Sequence, residues 1–284
     1  MSEQFLINFT PQETRIALMQ QGVVQELHIE RSSGRGIVGN VYLGRVVRVL
    51  PGMQSAFVEI GLDRTAFLHV AEIWACKNST DARPIERILS EGQSLMVQVL
   101  KDPIGTKGAR LTTQVSFAGR LLVHLPQDRH IGISQRIENE TERDNLRARI
   151  QALAPEEDAG GFIVRTVAEG ASDEELGGDI AYLRRLWQEI LSRSRGAKVP
   201  ALLHEDLDLA QRVLRDLVNH ETQSIVVDSR ETFQKLDTFA REYMPQVADR
   251  LEHYTGERPL FDLHNIEDEI QKALARREIG RAHV

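Results

Sequence analysis

Residues 36–70 read GIVGNVYLGRVVRVLPGMQSAFVEIGLDRTAFLHV, and this stretch decides the fold of the middle of the chain. Three runs within it, IVGNVYLGRVVRV (37–49), QSAFVEIG (54–61) and RTAFLHV (64–70), alternate β-branched or aromatic residues with polar or small ones. That period of two is the mark of a half-buried strand. Pro51-Gly52 and Gly61-Leu62-Asp63 separate the runs, as residues that set turn dihedrals do. A fourth run, SLMVQVL (94–100), follows a short helix expected over Pro84–Ser90 and stops at Lys101-Asp102-Pro103. About five short strands and one helix within residues 37–115 suit a small Greek-key barrel of the OB type.

On the N-terminal side, FLINF (5–9), TRIALMQ (14–20) and, after a turn at Gly22, VVQELHIE (23–30) read as three strands, joined to the barrel by the Gly-rich Ser32–Gly36. On the C-terminal side the pattern mixes. LLVHL (121–125) and GFIVRT (161–166) are strands, and Asn139–Leu153 and Asp173–Arg193 are helices. Ser194–Pro200 reads as the clearest linker. Beyond it come a helix near Asp206–Asn219, a buried strand SIVVD (224–228), a helix Glu231–Glu242, a strand around Pro259–Phe261 and a helix from Asn265. Alternating helices and strands indicate an α/β layer.

The chain has 284 residues, 35 Lys and Arg against 42 Asp and Glu, a net charge of −7, 41% hydrophobic residues and one cysteine. This composition builds a packed core, and a lone Cys76 excludes a disulfide framework within one copy. No apolar run reaches the ~18–20 residues of a membrane span, and the N-terminus lacks the pattern of a secretory signal; the expected location is cytoplasmic. From Arg31 to Arg110 there are 11 Lys and Arg against 7 Asp and Glu, a local +4 that leaves −11 for the rest. A basic module in an acidic chain fits an anionic ligand, as it fits an ordinary solvated surface.

Phe57 and Phe67 sit in adjacent barrel strands, with Tyr42 one strand earlier. OB-type barrels stack bases on exposed aromatics while cations track the phosphates, and Arg45, Arg48, Arg64, Lys107 and Arg110 are available for that. Spacing alone favours the alternative that both rings are core. Arg165-Thr166 ends a strand just before a helix starting near Ser172, where a guanidinium, a hydroxyl and backbone N–H groups can hold a terminal phosphate; pairing of Arg165 with a nearby acid is the plainer reading. Asp228, between a buried strand and a helix, could join Asp262 as a metal-binding pair, or simply mark an N-cap. No HxxEH, HExxH, CxxC, GxxxxGK[ST] or GxSxG pattern occurs.

Longer strings say more. ETRIALMQQGVVQELHIER (13–31), residues 34–70, VQVLKDPIGTKGARLTTQ (97–114), GISQRIE (132–138), GFIVRTVAEG (161–170), LAQRVLRDL (209–217) and LEHYTGERPLFDL (251–263), in this order, resemble the N-terminal part of the bacterial ribonuclease E/G family. The resemblance implies an α+β multidomain fold: an S-one-type OB-fold β-barrel and a 5′-sensor inserted in an RNase H-like α/β scaffold. It divides the chain into scaffold at 1–36 and 200–277, an OB-fold RNA-binding domain at 37–115 and a 5′-sensor region at 116–199.

By the same resemblance Arg165 and Thr166 hold the 5′-monophosphate of an RNA, Val123 and Gly119 line its pocket, and Arg136 supports it. Gln135 stands where ribonuclease E carries arginine, which puts that support in doubt. Phe57, Phe67 and Lys107 match the RNA-contacting set of the barrel. The implied activity is magnesium-dependent endonucleolytic cleavage of single-stranded RNA, in rRNA maturation and mRNA decay, by a homo-oligomer whose protomers share zinc. The magnesium and zinc ligands of the family match no residue here, so the chain itself is expected to be inactive, and a short non-catalytic RNA-binding paralogue is the alternative. Residues 278–284, EIGRAHV, match one frame of a common sequencing-library adapter and read as a non-native tail after a frame that continues past Arg277.

Overall fold

The computed structural model describes residues 3–77, 83–154 and 160–275; the tail expected at 278–284 lies outside them. The chain divides into two compact units, one being Gly36–Asp206 and the other formed by the segments on either side of it, up to Arg35 and from Leu207.

The flanking unit begins with β1 (Glu3–Phe9), β2 (Glu13–Gln20) and β3 (Val23–Arg31), an antiparallel meander. Gln21 and Gly22, with φ of 50° and 77°, make the two-residue turn between β2 and β3. Positive φ at both central positions matches the twist of the strands they join.

In the middle unit, β4 (Val41–Leu50), β5 (Ser55–Glu59), β6 (Ala66–His69), β7 (Ser94–Lys101) and β8 (Arg110–Thr112) close into a barrel. β4 pairs with β5, β5 with β6, β6 in parallel with β8, β8 with β7, and β7 with β4. A closed ring of five strands is consistent with an OB-like fold. Its core is filled by Val46, Ala56, Val58, Ala66, Leu68, Val97, Val99, Leu111 and also Tyr42, so Tyr42 is a core residue and no binding platform. A Cβ on Gly44 would lie 2.6 Å from Val58 Cγ1; glycine there lets two strands of a small barrel approach. The short helix α1 spans Trp74–Lys77. The helix expected over Pro84–Ser90 is only a single turn, Ile85–Arg87, held by burial of Ile85.

Next comes a four-stranded sheet in the order β11-β12-β10-β9, from β9 (Phe117–Ala118), β10 (Leu122–Leu125), β11 (Ile131–Ile133) and β12 (Gly161–Val164). Helices α2 (Glu140–Leu153) and α3 (Asp173–Gly196) pack on it. Asn139 caps α2, and Ser172 with Glu175 forms a capping box on α3, satisfying amide groups the helix itself cannot. Leu176, Ile180, Leu183 and Ile190 give α3 its buried stripe.

The expected linker is where sequence and structure part. α3 runs on to Gly196, and β13 (Ala201–His204) pairs with β4 of the barrel. Residues 200–206 therefore belong to the middle unit, and Asp206 donates its N–H to Asn40 Oδ1 at 2.8 Å. The sequence signal there, small residues and Pro200, marks a strand entry rather than a domain boundary.

The chain then completes the flanking unit with α4 (Leu209–Asp216), β14 (Thr222–Val227), α5 (Arg230–Tyr243), α6 (Pro245–Ala248), β15 (Leu251–His253), α7 (Leu260–Leu263) and α8 (Ile266–Ala275). Its sheet has the order β15-β14-β1-β2-β3, with β14 parallel to β1 and to β15. Both faces are covered, which is why β1 reads FLI without alternation. Phe5, Ile7, Ile225 and Val227 meet α4 and α5 on one side; Leu6, Ala17 and Val226 meet Leu260, Phe261 and Ile266 on the other. The strand expected around Pro259–Phe261 is helix α7 instead, with Leu263 N–H donating to Pro259 O at 3.0 Å. The strand lies at Leu251–His253, where only Leu251 is buried and the apolar signal is correspondingly faint. On α8 the apolar stripe fades from buried Ile266 through half-buried Ile270 to exposed Leu274.

Replacing Leu68, wholly buried in the barrel, with Ala is expected to cost about 2–5 kcal/mol of stability. Denaturant unfolding followed by circular dichroism measures it, and a cost under about 1 kcal/mol would contradict a packed barrel core.

Candidate nucleic-acid interface

Strand alternation sorts the barrel's aromatics. Ala56 and Val58 point inward, as do Ala66 and Leu68, so Phe57 and Phe67 between them stand on the outer surface, half-buried. The two are register partners, and their rings meet edge to face with centroids 6.2 Å apart. The register extends this pair into a row: Arg48 lies opposite Phe57, Arg110 opposite Phe67, and Lys101 opposite Arg110. Two aromatics flanked by cations are thus aligned across four neighbouring strand pairs. Arg110 shares its charge with Glu72, Nη2 to Oε1 at 2.7 Å.

Of the other cations, Lys107 is exposed on a hairpin closed by its backbone pairing with Ile104. Arg64 donates to the Gly105 carbonyl in that hairpin, and Arg45 to Val199 O at 3.3 Å. Gly108 lets the hairpin pass, since a Cβ there would fall 2.0 Å from Thr65 O. Lys101 was not evident in the sequence: a register shift between Val99 and Lys101 is what turns it onto this face, and a bulge leaves little trace in residue pattern.

A second arrangement occupies one end of the four-stranded sheet, where β11 and β12 finish and β10 begins. Arg165 follows β12; its Nη1 donates to the carbonyls of Gly119 at 2.6 Å and Arg120 at 3.1 Å. Thr166 Oγ1 lies 3.0 Å from Ser134 Oγ, on which Arg136 N–H also converges at 3.4 Å. Arg143 of α2 braces that loop through the carbonyls of Ser134 and Ile137. Val123, opposite Ile163 and Ala118, is half-buried beside the turn that holds Gly119. The five residues named from sequence, Gly119, Val123, Arg136, Arg165 and Thr166, therefore come from three chain segments that meet at one sheet end. Ser134 joins them without a sequence signal of its own.

Asp228 does something else. Its Oδ2 accepts from Asn8 Nδ2 at 2.5 Å and its Oδ1 from Phe9 N–H at 2.9 Å, while Ser229 caps α5. The carboxylate ties β14 to the end of β1, and among the described residues no three His, Cys, Asp or Glu gather as metal ligands. Asp228 is thus engaged in joining two strands, which does not support the paired-aspartate metal site.

Next to Val123, His124 is buried and stacked on Phe162 with centroids 4.8 Å apart. Its Nδ1 lies 3.2 Å from the Gly161 carbonyl. A carbonyl can only accept, so Nδ1 carries the proton and Nε2 is the bare nitrogen. Burial is the main cause that pushes this imidazole below its ordinary pKa, the Gly161 bond opposes it and Arg184 adds to it. His204, edge-on to Phe117, is also lowered, first by burial, with Asp206 opposing.

The barrel is thus OB-like, with an aromatic pair set between cations on its outer wall. Comparison with known proteins narrows this. The chain belongs to the ribonuclease E/G family, whose profile matches residues 116–279. It is 49% identical to the ribonuclease G of Escherichia coli K12 over 285 residues, covering 98% of this chain and 58% of that protein. It is 46% identical to ribonuclease G of Haemophilus influenzae over 282 residues, covering 96% and 57%. With ribonuclease E of Nostoc sp. it shares 35% over 263 residues, 91% of this chain and 38% of the relative. The chain thus spans under three fifths of these relatives. No helix among the described residues is long and apolar enough to cross a membrane.

The lowered imidazoles give stability a defined pH dependence. The unfolded chain takes up protons at His124 and His204 more readily than the folded one, so stability is full above the ordinary imidazole range and is lost as pH falls through it. Unfolding midpoints should drop between about pH 7 and pH 5. The drop should be shallower in His124→Asn, whose amide can still donate to Gly161 but does not titrate; an unchanged slope in that variant would contradict this account.

Proposed function

We propose that this chain is the RNA-binding and 5′-end-sensing part of a cytoplasmic endoribonuclease of the ribonuclease E/G type, acting on single-stranded RNA in rRNA maturation and mRNA decay. The observation that carries the reading is the row Arg48–Phe57–Phe67–Arg110–Lys101 on the outside of the barrel. Bases stack on Phe57 and Phe67, and the phosphates run past Arg48, Lys101 and, from the hairpin, Lys107. Aromatic faces bind every base, so this contact selects single strands without selecting sequence.

The sheet end takes the 5′-monophosphate. Arg165 supplies the charge and Thr166 the hydroxyl, Gly119 and Val123 form the wall, and Arg136 adds positive potential at the rim. A guanidinium held by carbonyls before the ligand arrives loses little freedom on binding, and charge-assisted bonds to phosphate are the strong kind. That the relatives are ribonucleases supports RNA as the substrate of the whole protein. The sheet order β15-β14-β1-β2-β3, with β2 reversed, supports reading the flanking unit as the RNase H-like scaffold that the middle unit interrupts. The homo-oligomer and the magnesium and zinc of the whole enzyme follow from the resemblance alone; hydrolysis is assigned to no residue described here.

Two measurements test this. A 3′-labelled single-stranded RNA should bind more tightly with a 5′-monophosphate than with a 5′-hydroxyl, by fluorescence anisotropy, and Arg165→Gln should make the two equal; Thr166→Val should act in the same direction while leaving the Gly119 turn tied. A wild-type ratio retained in Arg165→Gln would sink the sensor. Phe67→Ala should weaken binding of a 5′-hydroxyl RNA by about 1–3 kcal/mol with the barrel still folded, because its ring lies outside the core. Wild-type affinity in a folded Phe67→Ala protein would refute the stacking platform.

A further inference from the structure

The turn between β9 and β10 is gripped from both sides. Asp179 lies on α3, buried at 7% exposure within the face that carries Leu176, Ile180 and Leu183. A carboxylate in such a place must recover its lost hydration through hydrogen bonds. It accepts three from one turn: Arg120 N–H to Oδ1 at 3.1 Å, and Leu121 and Leu122 N–H to Oδ2 at 2.9 and 2.8 Å. The carbonyls of the same turn go the other way. Those of Gly119 and Arg120 accept from Arg165 Nη1, and that of Leu121 accepts from Arg165 N–H at 2.8 Å. A Cβ at position 119 would sit 2.5 Å from Asp179 Oδ2, so only glycine permits this approach of the carboxylate.

We propose that Asp179 is a positioning residue of the 5′-phosphate site: it fixes the N–H groups of the Gly119–Leu122 turn, so that the turn's carbonyls fix Arg165. This rests on the sensor reading given above. The charge of Asp179 would repel a phosphate; it acts by presenting the arginine in one orientation. Asn at this position keeps the shape but replaces one accepting oxygen with a donor facing an N–H, which loosens the turn.

The test measures binding of 3′-labelled single-stranded RNA, with a 5′-monophosphate or a 5′-hydroxyl, to the wild type, Asp179→Asn and Ile190→Val. Ile190 is buried in the same helix, about 16 Å further along, so its variant lowers stability without touching the turn. The wild type should prefer the monophosphate by about tenfold. Asp179→Asn should bring the ratio down toward one while its affinity for the 5′-hydroxyl RNA stays at the wild-type level, and Ile190→Val should keep the wild-type ratio. A wild-type ratio in Asp179→Asn, or an equal loss in Ile190→Val, overturns the role of Asp179 alone. No preference in the wild type overturns the sensor reading, and this role with it. Independently of how the variants fold, the Leu121 and Leu122 amides should exchange slowly with solvent in the ligand-free wild type; unprotected exchange at both overturns the proposal.

Discussion

The parallel ladder between β1 and β14, with Phe5 opposite Ile225 and Ile7 opposite Val227, is the constraint on which the rest of the chain depends. It joins residues some 220 positions apart in sequence, and neither partner can bury its apolar faces alone. β1 is wholly apolar at its centre because α4 and α5 cover one side of the sheet and α7 with α8 the other. Asp228 extends the same junction beyond the last ladder pair through Asn8 and Phe9. The cost is a contact of very high sequence separation, which is slow to form. The return is that the two segments outside Gly36–Asp206 close into one compact unit.

Within the middle unit, a small set of buried polar groups does what apolar packing cannot. Asp179 and Arg165 divide the N–H and C=O groups of one turn between them. Asn40 holds Asp206, and Gln98 donates to Gly39 and Ser116 carbonyls at 2.9 Å each. Such bonds fix orientation more than they add stability, since a typical one contributes only about 1 kcal/mol net. Orientation is what a site for a charged ligand requires.

How much was legible follows from the same physics. Barrel strands and the long helices were readable because burial there is periodic: Ala56 and Val58 against Phe57, or Leu176, Ile180 and Leu183 along α3. Single-turn elements are too short to show a period, so Ile85–Arg87 read as a longer helix and Leu260–Leu263 as a strand. Ser194–Pro200 read as a linker because small residues and proline look alike in loops and at strand entries. Asp179 was invisible for a different reason: one acid in an apolar stripe has no pattern, and its partners are backbone groups nearly sixty residues away. Resemblance to the family singled out the residues that meet around Arg165, whereas residue type alone favoured an ordinary ion pair.

The shortest barrel strand, β8, meets β6 through only two register pairs, Phe67 with Arg110 and Leu68 with Leu111. That seam is the shortest pairing in the closed wall, and one of its two pairs belongs to the exposed row. A polyanion bound along the row would cross the seam and join its two sides. Binding there would then favour the closed barrel over an opened one, and a firmer seam would favour binding, by the same free energy.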